Sequence, residues 1–358
     1  MKRAIAFQFL IVAFLIASTV AGAERVRSVA LPNGGSPMHA ECSADGAIHV
    51  LYERDSQPFY ARSNDGGATF DAPLALVDDA SKKPGLEFGV WDMALGKGGT
   101  VYAVLGNNAW KLKLPKDQWG LFFTVLEPNA KAFTPLRNIN REPSEGFSIA
   151  ADANGNVALM WLKGKVFCSL SRDGGKTFSS GAELNPSYNP CPCCTTAATY
   201  GKDGKLASIY REQTNDERDI YMILVSADGR QSRQKISTTP LKVNSCPMSY
   251  FNISPTKDGY AAAWPTKGDV YFSRLSADGK ILPPGEIKTA GKSGMRCGIV
   301  TLTNAAGETL VAWNSDGKLG WQVFDGSGMS IDRTGSADTR GKGVAAVVDK
   351  EGSFVVFH

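Results

Sequence analysis

One repeating pattern constrains this chain more than anything else in it. A short apolar or β-branched run, a turn built on Gly, and a second such run recur along the whole sequence. The first turn is Asp45-Gly46, followed by a strand over 47–52. The pattern returns at 150–161 around Asn154-Gly155, at 197–210 around Asp203-Gly204 and at 252–264 around Asp258-Gly259. It returns again at 300–313 around Gly307 and at 344–357 around Glu351-Gly352, with a weaker copy at 91–104 around Gly98-Gly99. Gly supplies the positive φ that tight turns need, so each copy reads as a β-hairpin.

The copies are spaced by about 50 residues, the length of one four-stranded propeller blade. No long helical stretch interrupts them. The expected fold is therefore all-β, a β-propeller of six or seven four-stranded blades forming one domain over 24–358. Seven hairpins favour seven blades; six follow if the last hairpin completes another blade. A solenoid or sandwich is the alternative architecture. The last copy ends at His358 with two strands only, and the segment 26–31 is placed to add an outer strand to it. Closure of that kind removes exposed sheet edges.

The N-terminus reads as a leader. Met1-Lys2-Arg3 precedes an apolar run over 4–20 that ends in Ala21-Gly22-Ala23. A basic start, an apolar centre and small residues at the end make a secretory signal peptide over 1–23. The run is at the short end of the roughly 20 residues that span a bilayer. No later segment is apolar enough to span, so a periplasmic or secreted protein is expected. The formal charge of +4 falls by two once Lys2 and Arg3 leave. No run of Lys or Arg exists to engage nucleic acid. A hydrophobic fraction of 43% with 38 glycines fits a normal core cut by many turns.

Two octets follow the third strand of their blades. They are Ser63-Asn64-Asp65-Gly66-Gly67-Ala68-Thr69-Phe70 and Ser171-Arg172-Asp173-Gly174-Gly175-Lys176-Thr177-Phe178. Shorter echoes stand at 226–229 and 276–279. The Asp accepts backbone N–H bonds, the Gly pair permits positive φ, and the aromatic ring packs between blades. This pattern resembles the Asp box, or BNR repeat, of the sialidase-like propellers, over the whole of 24–358 once the degenerate blades are included. In that family the boxes lie away from the active site, which makes Asp65 and Asp173 structural.

The chemistry concentrates on one rim, formed by residues just before each inner strand and just after each second strand. Cys191-Pro192-Cys193-Cys194, Cys246-Pro247-Met248 and Met295-Arg296-Cys297 precede three successive hairpins. Aligned on Gly204, Gly259 and Gly307, Cys191 falls level with Cys246, Cys193 with Met248 and Arg296, and Cys194 with Cys297. Met38, His39 and Cys42 lie nearby in the first blade. Three readings stay open. Disulfides suit an oxidising compartment, with Cys191–Cys246 and Cys194–Cys297 stapling neighbouring blades. A soft-metal site over Cys191, Cys193, Cys194, Cys246, Met248, Met295 and Cys297 suits copper(I) or zinc. Thiol redox chemistry is the third. Seven cysteines leave at least one unpaired. Cys168, in a third strand, reads as core.

The same rim carries Glu53, Arg54 and Asp55 after the second strand of blade one. Arg211 and Glu212 follow that of blade four, and Arg218 and Asp219 open its third strand. Arginine grips a carboxylate in two places at once. Sialidases hold the substrate carboxylate with an arginine cluster, so the resemblance makes Arg211, Arg218 and Arg296 ligand-binding candidates, with Arg54, Glu212 and Asp219 beside them. It also implies a Tyr–Glu nucleophile pair and an acid–base Asp. No such pair is assignable from the sequence. The family's Arg-Ile-Pro motif is replaced by Ser36-Pro37-Met38-His39, and the cysteines resemble those of exported Cys-x-Cys-Cys members. His39, His49 and His358 form no Ser-His-Asp pattern. Trp91, Trp161, Trp264 and Trp313 bound inner strands, as core or as sugar platforms. The expected functions are an anionic small-molecule or glycan binder with hydrolysis undecided, a soft-metal or redox protein, and a scaffold for protein partners.

Overall fold

The computed structural model describes residues 26–358, and the leader expected over 1–23 lies outside the described residues. Seven sheets make up the described residues. The first strand, β1 (Val26–Val29), belongs to the last of them. Blade 1 holds β2 (Ser36–Cys42), β3 (Ile48–Arg54), β4 (Gln57–Ser63) and β5 (Leu74–Ala75). Blade 2 holds β6 (Phe88–Leu95), β7 (Val101–Asn107), β8 (Phe122–Leu126) and β9 (Arg137–Asn138). Blade 3 holds β10 (Glu145–Ala151), β11 (Val157–Leu162), β12 (Val166–Ser171) and β13 (Ala182–Leu184). Blade 4 holds β14 (Thr196–Tyr200), β15 (Leu206–Arg211), β16 (Ile220–Val225) and β17 (Gln231–Lys235). Blade 5 holds β18 (Asn252–Pro255), β19 (Gly259–Thr266), β20 (Asp269–Ser276) and β21 (Ile287–Lys292). Blade 6 holds β22 (Ile299–Thr303), β23 (Thr309–Ser315), β24 (Lys318–Phe324) and β25 (Ser330–Asp338). Blade 7 pairs β26 (Ala345–Val348) with β27 (Phe354–Phe357), and β1 adds to β27.

The fold is thus a seven-bladed β-propeller. The inner strands β2, β6, β10, β14, β18, β22 and β26 touch their neighbours around a closed ring. The ring closes through β1, which runs parallel to β27 from Val26↔Phe354 to Val29↔Phe357, whereas the other strand pairings are antiparallel. Just beyond it, Leu31 N–H donates to His358 O at 2.9 Å and His358 N–H to Val29 O at 3.0 Å.

Second strands such as β11 and β19 are buried along their whole length, because a blade's middle strands are covered on both faces by adjacent blades. Phe272 and Phe324, one from each of blades 5 and 6, meet with ring centroids 4.5 Å apart. Inner-strand polar groups add specific ties. Glu41 accepts Leu95 N–H at 3.0 Å, Asp92 accepts Ile149 N–H at 3.0 Å, and Asn252 accepts Thr301 N–H at 2.9 Å. Each links one blade to the next.

The two octets fold alike. Asp65 accepts Ser63 Oγ at 2.7 Å, Thr69 N–H at 2.9 Å and Thr69 Oγ1 at 2.5 Å, and Asp173 repeats all three distances with Ser171 and Thr177. Their aromatic rings pack on the preceding blade, Phe178 at 5.1 Å from Phe123 and Phe70 at 6.4 Å from Phe357. Gly175 has a φ of 78°, and a Cβ there would stand 2.8 Å from Phe123 Cζ, so both conformation and space demand glycine. Among the described residues no helix is long and apolar enough to cross a membrane.

Candidate functional site

The ring of inner strands encloses a cavity of about 680 Å³. Trp91 from blade 2 and Tyr250, just before β18 of blade 5, meet at its wall with ring centroids 6.4 Å apart and nearly perpendicular. These blades are not neighbours in the ring, so the two rings approach across the channel. Phe147 braces Trp91 at 5.1 Å. Glu53, Arg296 and Lys342 line the same cavity. Glu53 accepts Val90 N–H at 3.1 Å, and burial raises its pKa above the ordinary carboxylate value. Burial likewise raises Tyr250; Arg296 pulls it down and Glu53 pushes it up. Tyr250 is therefore a neutral phenol at pH 7, a hydrogen-bond donor.

Farther along the channel wall, His39 Nδ1 lies 2.7 Å from Asp92 and its Nε2 3.5 Å from Glu41. Burial opposes charge on the ring, but the two carboxylates outweigh it and raise its pKa to about 10. His39 is thus a fixed cation, and Asp92 and Glu41 serve both it and the blade-to-blade ties.

The arginines expected to form one cluster separate into two environments. Arg211 is 1% exposed and Arg218 6%. Arg211 donates to Arg218 O and to Pro265 O, each at 2.5 Å, and lies 5.6 Å above the Phe251 ring. Arg218 donates to Val243 O at 2.9 Å, to Gln213 at 2.7 Å and to Cys191 Sγ at 3.4 Å. Neither guanidinium lines the channel. Glu212 is buried and accepts Arg233 at 2.5 and 2.9 Å and Tyr210 Oη at 2.8 Å. Asp219 is buried against Lys235 at 2.5 Å. Arg54 lies over Phe59 at 4.7 Å, with Asp55 at 3.7 Å. Arg296 alone of these six lines the cavity.

The sulfur atoms gather beside the same rim. Cys193 and Cys246 form a disulfide. The pairing expected from matched positions, Cys191–Cys246 with Cys194–Cys297, is therefore corrected. The Cys-x-Cys-Cys turn sets the half-buried Cys193 against Cys246 and turns Cys191 and Cys194 inward. Cys191 Sγ remains 3.8 Å from Cys246 Sγ and 3.5 Å from Cys194 Sγ. Ser249 N–H donates to Cys194 Sγ at 3.5 Å. Cys297 is a buried free thiol, as are Cys168, Cys191 and Cys194. Met248 is half-buried and Met295 is 59% exposed. The disulfide occupies two of the sulfurs considered as ligands for copper or zinc. The sulfurs of Cys191, Cys193 and Cys246 lie within 4.8 Å of one another.

Cluster and channel are joined by short stretches of chain. Cys194 runs directly into Thr195, and Ser249 into Tyr250, both cavity-lining residues. Thr195 N–H donates to Ser249 O at 3.1 Å, and Arg296 N–H to Met248 O at 2.9 Å. The sequence reading passed over Tyr250, Asp92 and Lys342. Tyr250 stands two residues after the Cys-Pro-Met step and Asp92 follows Trp91, and rim position was the signal for both. Of the four tryptophans considered as platforms, Trp161, Trp264 and Trp313 are buried at 2%, 0% and 7% exposure, and Trp91 lines the cavity.

No family model matches this chain, and no curated protein matches it. Solved structures do. A streptogramin B lyase overlaps at 13% identity over 91% of both chains with a TM-score of 0.57. A polysaccharide lyase of family PL25, an ulvan lyase bound to -[GlcA(1-4)Rha3S]-, overlaps at 13% identity over 88% of both chains with a TM-score of 0.55. The Hadza microbial sialidase Hz136 reaches a TM-score of only 0.40 at 14% identity, over 87% of this chain and 60% of its own. The first two likenesses are to β-propellers and are likenesses of fold.

Proposed function

We propose that this protein is an exported binder of an anionic, sugar-sized ligand at the mouth of its central channel. The observation that carries this reading is Arg296. It is the one arginine of the expected set that lines the cavity, and among the described residues no carboxylate pairs with it. An exposed guanidinium beside a neutral phenol and an indole edge can hold a carboxylate while the rings stack on a sugar face. A cavity of about 680 Å³ is within the range of small-ligand sites. The saccharide bound to one propeller neighbour, -[GlcA(1-4)Rha3S]-, contains glucuronate. That fits the ligand class without assigning the ligand.

Binding rather than hydrolysis is the reading favoured here. A Tyr nucleophile needs its phenol activated, and the surroundings of Tyr250 raise its pKa. The test is calorimetric titration with glucuronate- and sialate-terminated oligosaccharides against their neutral counterparts. Acidic sugars should bind, and Arg296→Ala should weaken them by about 1.5–3 kcal/mol, the scale of a hydrogen bond to a charged group. Equal binding of neutral sugars, or an unaffected Arg296→Ala variant, would refute it.

A further inference from the structure

Four cysteine sulfurs converge at the rim, and only two of them are bonded to each other. Cys191 Sγ lies in van der Waals contact with the disulfide, 3.8 Å from Cys246 Sγ. It is wholly buried, whereas Cys193 and Cys246 are half-buried. Two donors point at the Cys191 sulfur: Arg218 Nη1 at 3.4 Å and the Cys194 thiol at 3.5 Å. Arg218 is anchored by Val243 O and Gln213 and has no carboxylate partner among the described residues, so its charge is left to the sulfur.

We propose that Cys191 is the internal nucleophile of a thiol–disulfide exchange centre that moves the bridge from Cys193–Cys246 to Cys191–Cys246 and presents Cys193 as an accessible thiol. The inference goes beyond the ligand-binding reading and does not depend on it.

The step balances without any oxidant. Cys191 enters as a thiolate, its proton having passed to water. Its lone pair forms the bond to Cys246 Sγ. The electron pair of the old bridge leaves on Cys193 Sγ, which takes a proton from water. One disulfide exists before and after. The sulfurs must approach by about 1.8 Å to reach the roughly 2.05 Å of a disulfide, a side-chain movement. Thiolate character is what the attack requires. Two donors, the Cys194 thiol and the Arg218 guanidinium, face the Cys191 sulfur and favour its thiolate. Cys194 is the donor in that hydrogen bond and keeps its proton. Burial of Cys191 keeps external thiols and alkylating agents from it, which makes the exchange intramolecular.

The experiment uses the native protein, with its disulfide intact, incubated with N-ethylmaleimide and mapped over time by non-reducing peptide mass spectrometry. Each migration exposes Cys193, and alkylation traps it. The expected end state is alkylated Cys193 with a Cys191–Cys246 bridge. Cys191→Ser should abolish Cys193 labelling while keeping the wild-type melting temperature within a few degrees. Cys193→Ser should form the Cys191–Cys246 bridge directly, which tests reach even if Cys191→Ser folds poorly. Persistence of an unlabelled Cys193–Cys246 bridge after hours overturns the proposal. So does a Cys193→Ser protein whose Cys191 and Cys246 stay free. About one zinc or copper per chain with no disulfide would overturn it too, making the four sulfurs a metal site.

Discussion

Arg211→Ala separates a structural arginine from a ligand-binding one. The Arg211 guanidinium is enclosed, and its donors satisfy Arg218 O and Pro265 O, two buried acceptors from different blades. Truncation leaves both carbonyls without that donor, at about 1–3 kcal/mol each. Loss of packing on Phe251 adds to this. The expected destabilisation is about 3–5 kcal/mol, the scale found when a buried polar network loses one partner. At about 2 °C per kcal/mol for a large domain, the melting temperature should fall by roughly 6–10 °C. The assay is differential scanning calorimetry of wild type, Arg211→Ala and Arg296→Ala. Arg296 is exposed and its side chain holds nothing together, so its removal should stay within about 0.5 kcal/mol of wild type. A stable Arg211→Ala protein that has lost ligand would refute the placement of Arg211 inside the wall and restore it to the binding surface.

Further outcomes follow from single observations. Gly175→Ala should destabilise by about 1–3 kcal/mol, because φ is positive and Phe123 fills the space; a variant melting like wild type would refute that packing. Asp65 is held at about 2 and Asp173 lower still by their Ser and Thr donors, so the octets' contribution is complete above pH ~4 and lost as pH falls through the folded values. Amide exchange at Thr69 that stayed slow at pH ~1, well below the Asp65 value, would contradict this. His39 should remain protonated by NMR past pH 9, with its stabilisation complete below pH ~6.5 and lost as pH rises through about 10. His49, lowered to about 4 chiefly by burial, should be neutral at pH 7; a midpoint near 6.5 for either ring would refute its environment. Arg296→Gly should bind ligand as poorly as Arg296→Ala yet be about 1 kcal/mol more stable, since φ is 59° there.

The blades were legible because two short-range signals coincide in each: a Gly turn and a flanking run that two neighbouring blades can bury. Even the weak copy at Gly98-Gly99 forms β6 and β7. The rim position of the sulfurs was legible for the same reason, since distance from each hairpin Gly fixes height along the blade. Pairing was not. Matched heights set Cys191 opposite Cys246, but the direction each side chain takes in the turn decides which sulfur bonds, and Cys193 takes that place. The arginines failed likewise. Arg211 and Arg218 sit at rim height, but they turn into the wall between blades 4 and 5, where backbone carbonyls and a sulfur are available to them.

That wall explains why the chain spends buried charge where a hydrophobic filler would pack. A buried guanidinium without a carboxylate is costly, and in blade 4 two stand close together. Their neighbours are Cys191, Cys194 and the loop that ends in Tyr250. The same loop contains Met248 at φ 46°, tied to Arg296 at φ 59°, two non-glycine residues in the left-handed region. Each such residue costs about 1–3 kcal/mol and persists only where its surroundings hold it. Elsewhere in the inner-strand ring, hydrogen bonds such as Asp92 to Ile149 stabilise the fold by ordinary means. Buried cations, free thiols and a disulfide coincide on one side of the channel mouth, between blades 4 and 6. Left-handed residues such as Lys113 and Arg141 stand in other blades too, so what sets this side of the mouth apart is the pairing of two buried guanidinium groups with free thiols, the pairing on which the proposed exchange rests.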